Sequence, residues 1–211
     1  MTYLFLFDFV VRSPVSSMDH LVAGWFHLHL AQPFIDLMLG FSALASPIWV
    51  GTLTCGTLLF SLLKRWWYAS LAVILTIPAG TLLGEGIKIL VHRERPFHES
   101  PFLDLTGYSF PSGHTISATL LYGLLAVFAI LLFKSWRWRA VAAISALLMV
   151  FLVGLSRIAL GAHYLTDVLG AIVAGIVWLI VCLLAVQRVR RTKLRDGGAV
   201  AARETFRSTG Q

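Results

Sequence analysis

The chain has 211 residues, of which 58% are hydrophobic and 13% charged, and its mean hydropathy is +0.82. So large an apolar share excludes an ordinary soluble domain, which would expose much of it to water, and predicts an all-α protein that spans a membrane. The net charge of +7 does not indicate nucleic-acid binding, because most basic residues flank apolar segments as in membrane-facing loops.

The first 32 residues predict an N-terminal anchor and interfacial segment. Residues 1–11 are apolar apart from Asp8, but eleven helical residues reach only about 16 Å, roughly half of a bilayer core. They form either a short sixth spanning helix or an interfacial anchor. Residues 12–32 mix Asp19 and three histidines with Leu, Val, Trp and Phe, which predicts an amphipathic helix in the membrane interface.

Five apolar stretches between residues 33 and 187 predict the spanning helices of a polytopic bundle. They cover residues 33–63, 66–91, 112–133, 140–158 and 164–186. The first is interrupted near Ser46 and Pro47. Residues 188–211 begin with clustered Arg and Lys and continue with polar and small residues, which predicts a basic, disordered cytoplasmic tail.

The basic residues also predict the orientation of the chain. Twelve lie on one predicted side of the membrane, at positions 64, 65, 134, 137, 139, 188, 190, 191, 193, 195, 203 and 207. Five lie on the other, at positions 12, 88, 93, 95 and 157. The richer side is the cytoplasmic one, so we expect an inner-membrane protein with a cytoplasmic C-terminus.

Three polar stretches lie at the opposite, extracytoplasmic ends of the predicted helices. They read K-I-L-V-H-R-E-R-P from Lys88, P-S-G-H from Pro111, and S-R-I-A-L-G-A-H-Y-L-T-D from Ser156. Polar groups are costly next to a bilayer and are usually functional there. Because the topology brings all three stretches to one membrane face, we expect them to form one site.

The third stretch holds a histidine and an aspartate at helical spacing. His163 and Asp167 are four residues apart, so on a helix they would share a face and hydrogen-bond. Such a carboxylate fixes the imidazole tautomer and leaves Nε2 as an aimed lone pair. Alone, a pair of this kind is more often structural; convergence with the other stretches favours a catalytic role. Arg157 adds a planar fork suited to phosphate.

The other two stretches offer further groups that bind anions. Lys88 and Arg95 are seven residues apart, which predicts one face of a helix ended by the following proline. Ser112 is a good N-cap and Gly113 leaves the backbone accessible, so the next helix begins as a phosphate cradle. His114 stands one residue inside that helix.

The residues predict neither a metal nor another cofactor. Cys55 and Cys182 lie singly within apolar runs, and the histidines of residues 12–32 have no carboxylate that completes a ligand set. Cationic side chains surround the predicted site instead. This pattern indicates a phosphoryl transfer that uses no metal.

Together, the patterns K-x6-R-P, P-S-G-H and S-R-x5-H-x3-D resemble the type 2 phosphatidic acid phosphatase family, with every motif position matched. The resemblance implies that His163 is the nucleophile, that Asp167 orients it, and that His114 protonates the leaving group and then activates water. It implies phosphate contacts from the remaining motif residues, Lys88, Arg95, Ser112, Gly113 and Arg157. Three neighbours match no motif position and receive no role: His92, Arg93 and His98.

By this resemblance the protein is a membrane enzyme that hydrolyses a lipid phosphate or diphosphate at the extracytoplasmic face. Undecaprenyl diphosphate and phosphatidylglycerol phosphate are the first candidate substrates. Two alternatives stay open: a lipid-to-lipid phosphotransferase, and a non-catalytic lipid transporter that would not need an intact site. The family also includes vanadium-dependent haloperoxidases. These enzymes are soluble, so a haloperoxidase is disfavoured for a chain that is predicted to span the membrane. The expected partners are the bilayer and the lipid phosphate.

Overall fold

The computed structural model describes residues 15–96 and 106–209. Over these residues the protein is all-α, as predicted, and has no strand. The predicted short helix at residues 1–11 lies outside the described residues. The helices are α1 (Val15–His29), α2 (Phe34–Ala43), α3 (Pro47–Leu63), α4 (Trp67–Val91), α5 (Gly113–Leu132), α6 (Trp136–Ala159) and α7 (Leu165–Thr209).

The prediction of five membrane spans is confirmed. Within the described ranges, five stretches are long and apolar enough to cross a bilayer: α2 with α3, then α4, α5 and α6, and residues Leu165–Arg195 of α7. Large apolar side chains cover the outside of the bundle, such as Ile48, Leu147 and Leu184. That distribution suits a lipid environment, where apolar side chains need no cover.

The first span is broken where the sequence indicated. Helix α2 ends at Ala43, and α3 begins at Pro47. Ser46 is the N-cap of α3, and its hydroxyl accepts a hydrogen bond from the Trp49 amide at 3.3 Å. A proline at the first helical position has no N–H to lose and is already shaped for the helix, so the chain restarts there.

Helix α5 is central and packs against α4, α6 and α7. Val73, Leu120 and Leu121 are fully buried between these helices. Glycine allows the closest approach: a Cβ at Gly80 of α4 would lie 2.5 Å from the Leu120 side chain. Small residues at such crossings let membrane helices pack by van der Waals contact. These contacts build a frame whose four helix ends, at one end of the bundle, carry the three motif stretches.

Helix α1 directs one carboxylate into the protein. Asp19 is only 1% exposed and points into the protein, whereas Leu21 and Leu28 are 69% and 79% exposed. A carboxylate is buried only when it is paired or fully hydrogen-bonded. Helix α1 therefore supplies one acidic group to the interior of the bundle, while its outside carries polar side chains such as His20 as well as apolar ones.

The prediction of a disordered tail is wrong, because α7 continues without a break to Thr209. Residues 188–209 contain no proline and are rich in Arg and Ala, which favour a helix. A helix of 45 residues is about 68 Å long at 1.5 Å per residue, roughly twice the thickness of a bilayer core. It therefore extends well beyond the span.

Candidate active site

The three motif stretches meet at one end of the bundle, where α4 and α6 end and α5 and α7 begin. The Lys88 Nζ of the first stretch lies 3.1 Å from the position that a Cβ would take on Gly113 of the second. The Ser112 amide of the second stretch donates to the Asp167 carbonyl of the third at 3.2 Å. The predicted convergence of the stretches is therefore found in the structure. Their chemical roles depend on the detailed geometry.

Helix α5 begins with an anion-binding arrangement. Ser112 is its N-cap, and the Ser112 hydroxyl accepts hydrogen bonds from the amide and the hydroxyl of Thr115, at 3.5 and 2.9 Å. The Lys88 Nζ lies 3.1 Å from the position that a Cβ would take on Gly113, and it donates to Glu85 at 2.7 Å. An ammonium group thus lies beside the positive end of a helix dipole, where an anion is stabilised twice.

Arg157, near the end of α6, is buried and only partly satisfied. It is 4% exposed, and its Nη1 donates to the Ser42 hydroxyl on α2 at 2.6 Å. In the described part of the chain its Nε is buried and has no hydrogen-bond acceptor. Buried donors are seldom left unpaired, because the lost hydration is costly. The unpaired Nε therefore marks Arg157 as a group that can bind an anionic ligand.

His163 lies in the turn between α6 and α7, not in a helix. Gly161 adopts a positive φ of 71°, which glycine tolerates without strain. The amides of Ala162 and His163 both donate to the carbonyl of Arg157, at 3.0 and 3.2 Å. Arg157 thus contributes its guanidinium to the site, and its carbonyl holds the turn that carries His163.

The prediction that His163 and Asp167 share a helix face is wrong, because α7 begins only at Leu165. The His163 Nδ1 lies 3.6 Å from the Asp167 Oδ2, which is an ion-pair distance and too long for a hydrogen bond. Within the described residues this nitrogen has no hydrogen-bond partner. The pair is adjacent, as expected, but the two groups are not in direct hydrogen-bond contact.

Burial sets the protonation of His163. The residue is 2% exposed, and this burial lowers the pKa of its imidazole to about 4, helped by the positive charges of Arg157 and Arg95 and opposed by Asp167. An ordinary histidine has a pKa near 6.5. The imidazole is therefore uncharged at neutral pH, which is the form that can act as a nucleophile.

Asp167 is fully buried and held from several directions. Its Oδ1 accepts from the Arg93 Nη1 at 2.5 Å, and its Oδ2 accepts from the Ser109 hydroxyl and from the Tyr164 amide, the latter at 2.8 Å. A carboxylate in the first turn that bonds back to the amide preceding the helix is half of a capping box. Asp167 thus starts α7 and faces His163 at the same time.

Arg93 and Asp19 are the residues that the sequence reasoning missed. The Arg93 Nη2 donates to Asp19 at 2.7 Å, and its Nη1 donates to the Thr166 hydroxyl at 2.6 Å. The Arg93 guanidinium lies 4.4 Å from the centre of the Tyr164 ring. A usable signal was present: each is a charge in a strongly apolar chain, and such charges need partners.

Arg95 does not share a helix face with Lys88, and that prediction is wrong. Helix α4 ends at Val91, and His92 closes it in a left-handed conformation with φ 51°. Arg95 follows in the loop, where its guanidinium donates to three carbonyls, Gly107 and Thr106 at 3.1 and 2.9 Å and Ala162 at 2.9 Å. It ties the loop to the turn of His163, while its predicted phosphate contact stays a prediction.

The sequence and the fold both match known proteins. Residues 65–191 match the family model described as the PAP2 superfamily. Phosphatidylglycerophosphatase B of Bacillus subtilis (strain 168) is 32% identical over 152 residues, which cover 70% of this chain and 73% of that protein.

Two solved structures share the fold. The transmembrane PAP2-type phosphatidylglycerolphosphate phosphatase from Bacillus subtilis matches with a TM-score of 0.78 at 25% identity, over 89% of this chain and 94% of that one. Aquifex aeolicus LpxE matches with a TM-score of 0.61 at 23% identity, over 79% of this chain and 94% of that one. The second likeness concerns the fold alone.

Proposed function

This chain belongs to the PAP2 superfamily and is a membrane-embedded lipid phosphatase of that type, and we propose that it releases phosphate through a covalent phosphohistidine on His163 without a metal. The substrate is a lipid phosphate or diphosphate. The reaction takes place at the extracytoplasmic face, at the end of the bundle where the motif stretches meet.

One observation carries the proposal: an uncharged, buried histidine lies among cationic groups at that end of the bundle. Lys88 lies against the start of α5, and Arg157 has a buried Nε with no acceptor among the described residues. Phosphoryl transfer requires mainly positioning and stabilisation of negative charge on the phosphoryl oxygens. These groups supply that charge stabilisation in place of a metal ion.

In the first step the Nε2 lone pair of His163 attacks phosphorus, and the bond from phosphorus to the lipid oxygen breaks. His114 gives its proton to that oxygen, so the lipid leaves as a neutral alcohol or as a phosphate. The His163 ring becomes positively charged, and Asp167 stabilises it. The equatorial oxygens are held by the phosphate-binding set, Lys88, Arg95, Ser112, Gly113 and Arg157.

In the second step water attacks the phosphohistidine. His114, now uncharged, takes a proton from the water, so the same residue acts as acid and then as base. The phosphorus–nitrogen bond breaks, inorganic phosphate leaves, and His163 returns to its uncharged form.

The distribution of basic residues supports the extracytoplasmic location. Twelve Lys and Arg lie towards the opposite end of the spans, and five lie on the side of the site. Cytoplasmic segments next to spans carry the excess of such residues. We therefore place the C-terminus in the cytoplasm and the site on the outer side of the inner membrane.

The relative from Bacillus subtilis, a phosphatidylglycerophosphatase by name, supports phosphatidylglycerol phosphate as the first candidate substrate. Undecaprenyl diphosphate is the second. The test is phosphate release by the purified protein in detergent with EDTA, against both lipids and phosphatidic acid, with His163→Ala as the control. Release that depends on His163 supports the proposal. A strict need for divalent metal, or no release from any lipid, contradicts it, and transfer to an added lipid acceptor indicates the phosphotransferase.

A further inference from the structure

We propose that Asp19 and Arg93 are positioning residues for catalysis, and that they act through Asp167 on His163. This inference rests on the proposed role of His163 as the nucleophile. It makes α1, which precedes the segment matched by the family at residues 65–191, a part of the active centre. Asp19, Arg93 and Asp167 are named below as the buried charge chain.

The buried charge chain is continuous and closed to solvent. The two terminal nitrogens of Arg93 point to different carboxylates, Nη2 to Asp19 at 2.7 Å and Nη1 to Asp167 at 2.5 Å. The side chains of Asp19, Arg93 and Asp167 are 1%, 7% and 0% exposed. Charges this deeply buried interact strongly, because water does not screen them.

Arg93 fixes the orientation of the Asp167 carboxylate. By holding Oδ1, it leaves Oδ2 for the Ser109 hydroxyl and the Tyr164 amide, and Oδ2 is the oxygen that lies 3.6 Å from the His163 Nδ1. A planar guanidinium bonded at both ends cannot rotate easily. Arg93 therefore sets the direction of the carboxylate towards the histidine by holding its other oxygen.

Asp19 in turn fixes Arg93 against the start of α7. Its Oδ1 accepts from the Thr166 amide at 3.0 Å, and its Oδ2 accepts from the Thr166 hydroxyl as well as from Arg93. Arg93 also lies over the ring of Tyr164, 4.4 Å from its centre. A single carboxylate on α1 thus ties three segments together at the place where the catalytic turn enters α7.

The charges explain why Asp19 affects the rate of the reaction. Two carboxylates and one guanidinium sum to a net charge of −1. When His163 attacks phosphorus, its ring gains a charge of +1. The buried charge chain and the His163 ring together are then neutral, whereas in the resting enzyme they carry a charge of −1. An interaction that is stronger in the charged state than in the resting state accelerates the chemical step. Loss of the Asp19 charge should therefore lower kcat and leave KM nearly unchanged.

The variant Asp19→Asn removes this charge and nearly keeps the shape of the side chain. An asparagine keeps the Oδ1 acceptor for the Thr166 amide, but the uncharged amide nitrogen that replaces Oδ2 cannot accept hydrogen bonds from Arg93 or from the Thr166 hydroxyl. The Asp19 carboxylate interacts with the charged His163 ring across Arg93 and Asp167. At an effective dielectric constant of about 20, the loss of one such charge should lower the rate roughly tenfold. We expect kcat for short-chain phosphatidic acid to fall about tenfold or more, with KM within about twofold.

Arg93→Ala and Arg93→Lys extend the test. Alanine leaves two buried carboxylates without a cation, so we expect a larger loss of kcat, and guanidinium ion added at millimolar concentration should restore part of it. Lysine keeps the charge but cannot bond both carboxylates with one planar fork, so its kcat should lie between alanine and wild type. Two exposed residues of the same segments serve as controls, Glu94→Gln in the loop and His29→Ala on α1, and both should behave as wild type.

A readout without substrate separates this inference from the proposed function. The ¹⁵N signals of the His163 imidazole should shift in Asp19→Asn and stay in place in Glu94→Gln. If wild-type protein releases no phosphate, the proposed function fails, but the spectra still test the positioning role. Unchanged His163 signals together with wild-type kcat in Asp19→Asn, or a loss confined to KM, would overturn the inference. Should Arg93→Ala not fold, Asp19→Asn and Arg93→Lys still decide it.

Discussion

Lys88 holds its ammonium group against Gly113, 3.1 Å from the point that a Cβ on this residue would occupy. The contact joins the last turn of α4 to the first turn of α5. It places a positive charge at a helix N-terminus, where phosphate binds well. This short distance favours glycine at position 113, since a larger residue there would displace the Lys88 ammonium group.

We predict that Gly113→Ala weakens substrate binding without unfolding the protein. The added methyl group meets the flexible end of Lys88 rather than backbone, so the lysine moves and the KM should rise by roughly three- to tenfold. Gly86→Ala, where a Cβ meets nothing within 4 Å, is the matched control and should leave KM unchanged. Equal KM values for the two variants would show that the Lys88 position does not matter for binding.

We predict that His163 stays uncharged well below neutral pH. Burial lowers the pKa of its imidazole to about 4, against about 6.5 in an unfolded chain. Between these values the unfolded state binds a proton that the folded state does not. The stability contributed by uncharged His163 is therefore complete above pH 6.5 and falls as the pH is lowered towards 4.

Two measurements check this prediction. The ¹⁵N signals of His163, assigned with the His163→Gln variant, should not titrate between pH 7 and pH 5. The Tm of wild type relative to His163→Gln should fall over the same range, because glutamine has no such proton to bind. A midpoint near 6.5 for His163 would contradict the prediction.

We predict that Ser42→Ala lowers the free energy of unfolding and raises KM, because Ser42 holds the Arg157 guanidinium that is proposed to bind phosphate. It removes the acceptor that lies 2.6 Å from the Arg157 Nη1 and leaves a second buried guanidinium nitrogen without a partner, a loss of about 1.5–3 kcal/mol for a hydrogen bond to a charged group. Kinetics and chemical denaturation would measure both effects. Ser61→Ala is the control: this buried serine bonds to Ser70 at 2.8 Å on α3 and α4, so it should cost stability while KM stays normal.

We predict that the site faces outward and the C-terminus inward. Single cysteines placed by Glu99→Cys and Thr209→Cys, in a background in which Cys55 and Cys182 are replaced, should react oppositely with an impermeant thiol reagent on intact cells. Position 99 should label directly, and position 209 only after the cells are opened. The reverse pattern would move the reaction to the cytoplasmic face.

The membrane spans were predictable from sequence because the bilayer sets a length and a hydropathy that any spanning helix must meet. The break before Pro47 was predictable for a local reason as well, since proline cannot continue a helix. Convergence of the motif stretches followed from the number of spans between them. Each of these inferences needs only the local sequence and the order of the spans along the chain.

The contacts that orient the site could not be predicted, because they join residues far apart. Arg93 and Asp19 are separated by 74 positions, and Arg157 and Ser42 by 115. The helix ends were misplaced for a different reason. His92 adopts a left-handed conformation that ends α4 before Arg95, and Gly161 forms the turn that leaves His163 outside α7, and neither conformation follows from hydropathy.

The most direct test of the account is to trap the phosphorylated enzyme. Purified protein would react with ³²P-labelled short-chain phosphatidic acid for a few milliseconds, be quenched in base and be digested for mapping. A phosphohistidine is stable to base and labile to acid, so we expect acid-labile label on the peptide that contains His163. His114→Ala should retain some label, and His163→Ala should have none and no turnover. Phosphate release by His163→Ala, or label on any other residue, would contradict the account.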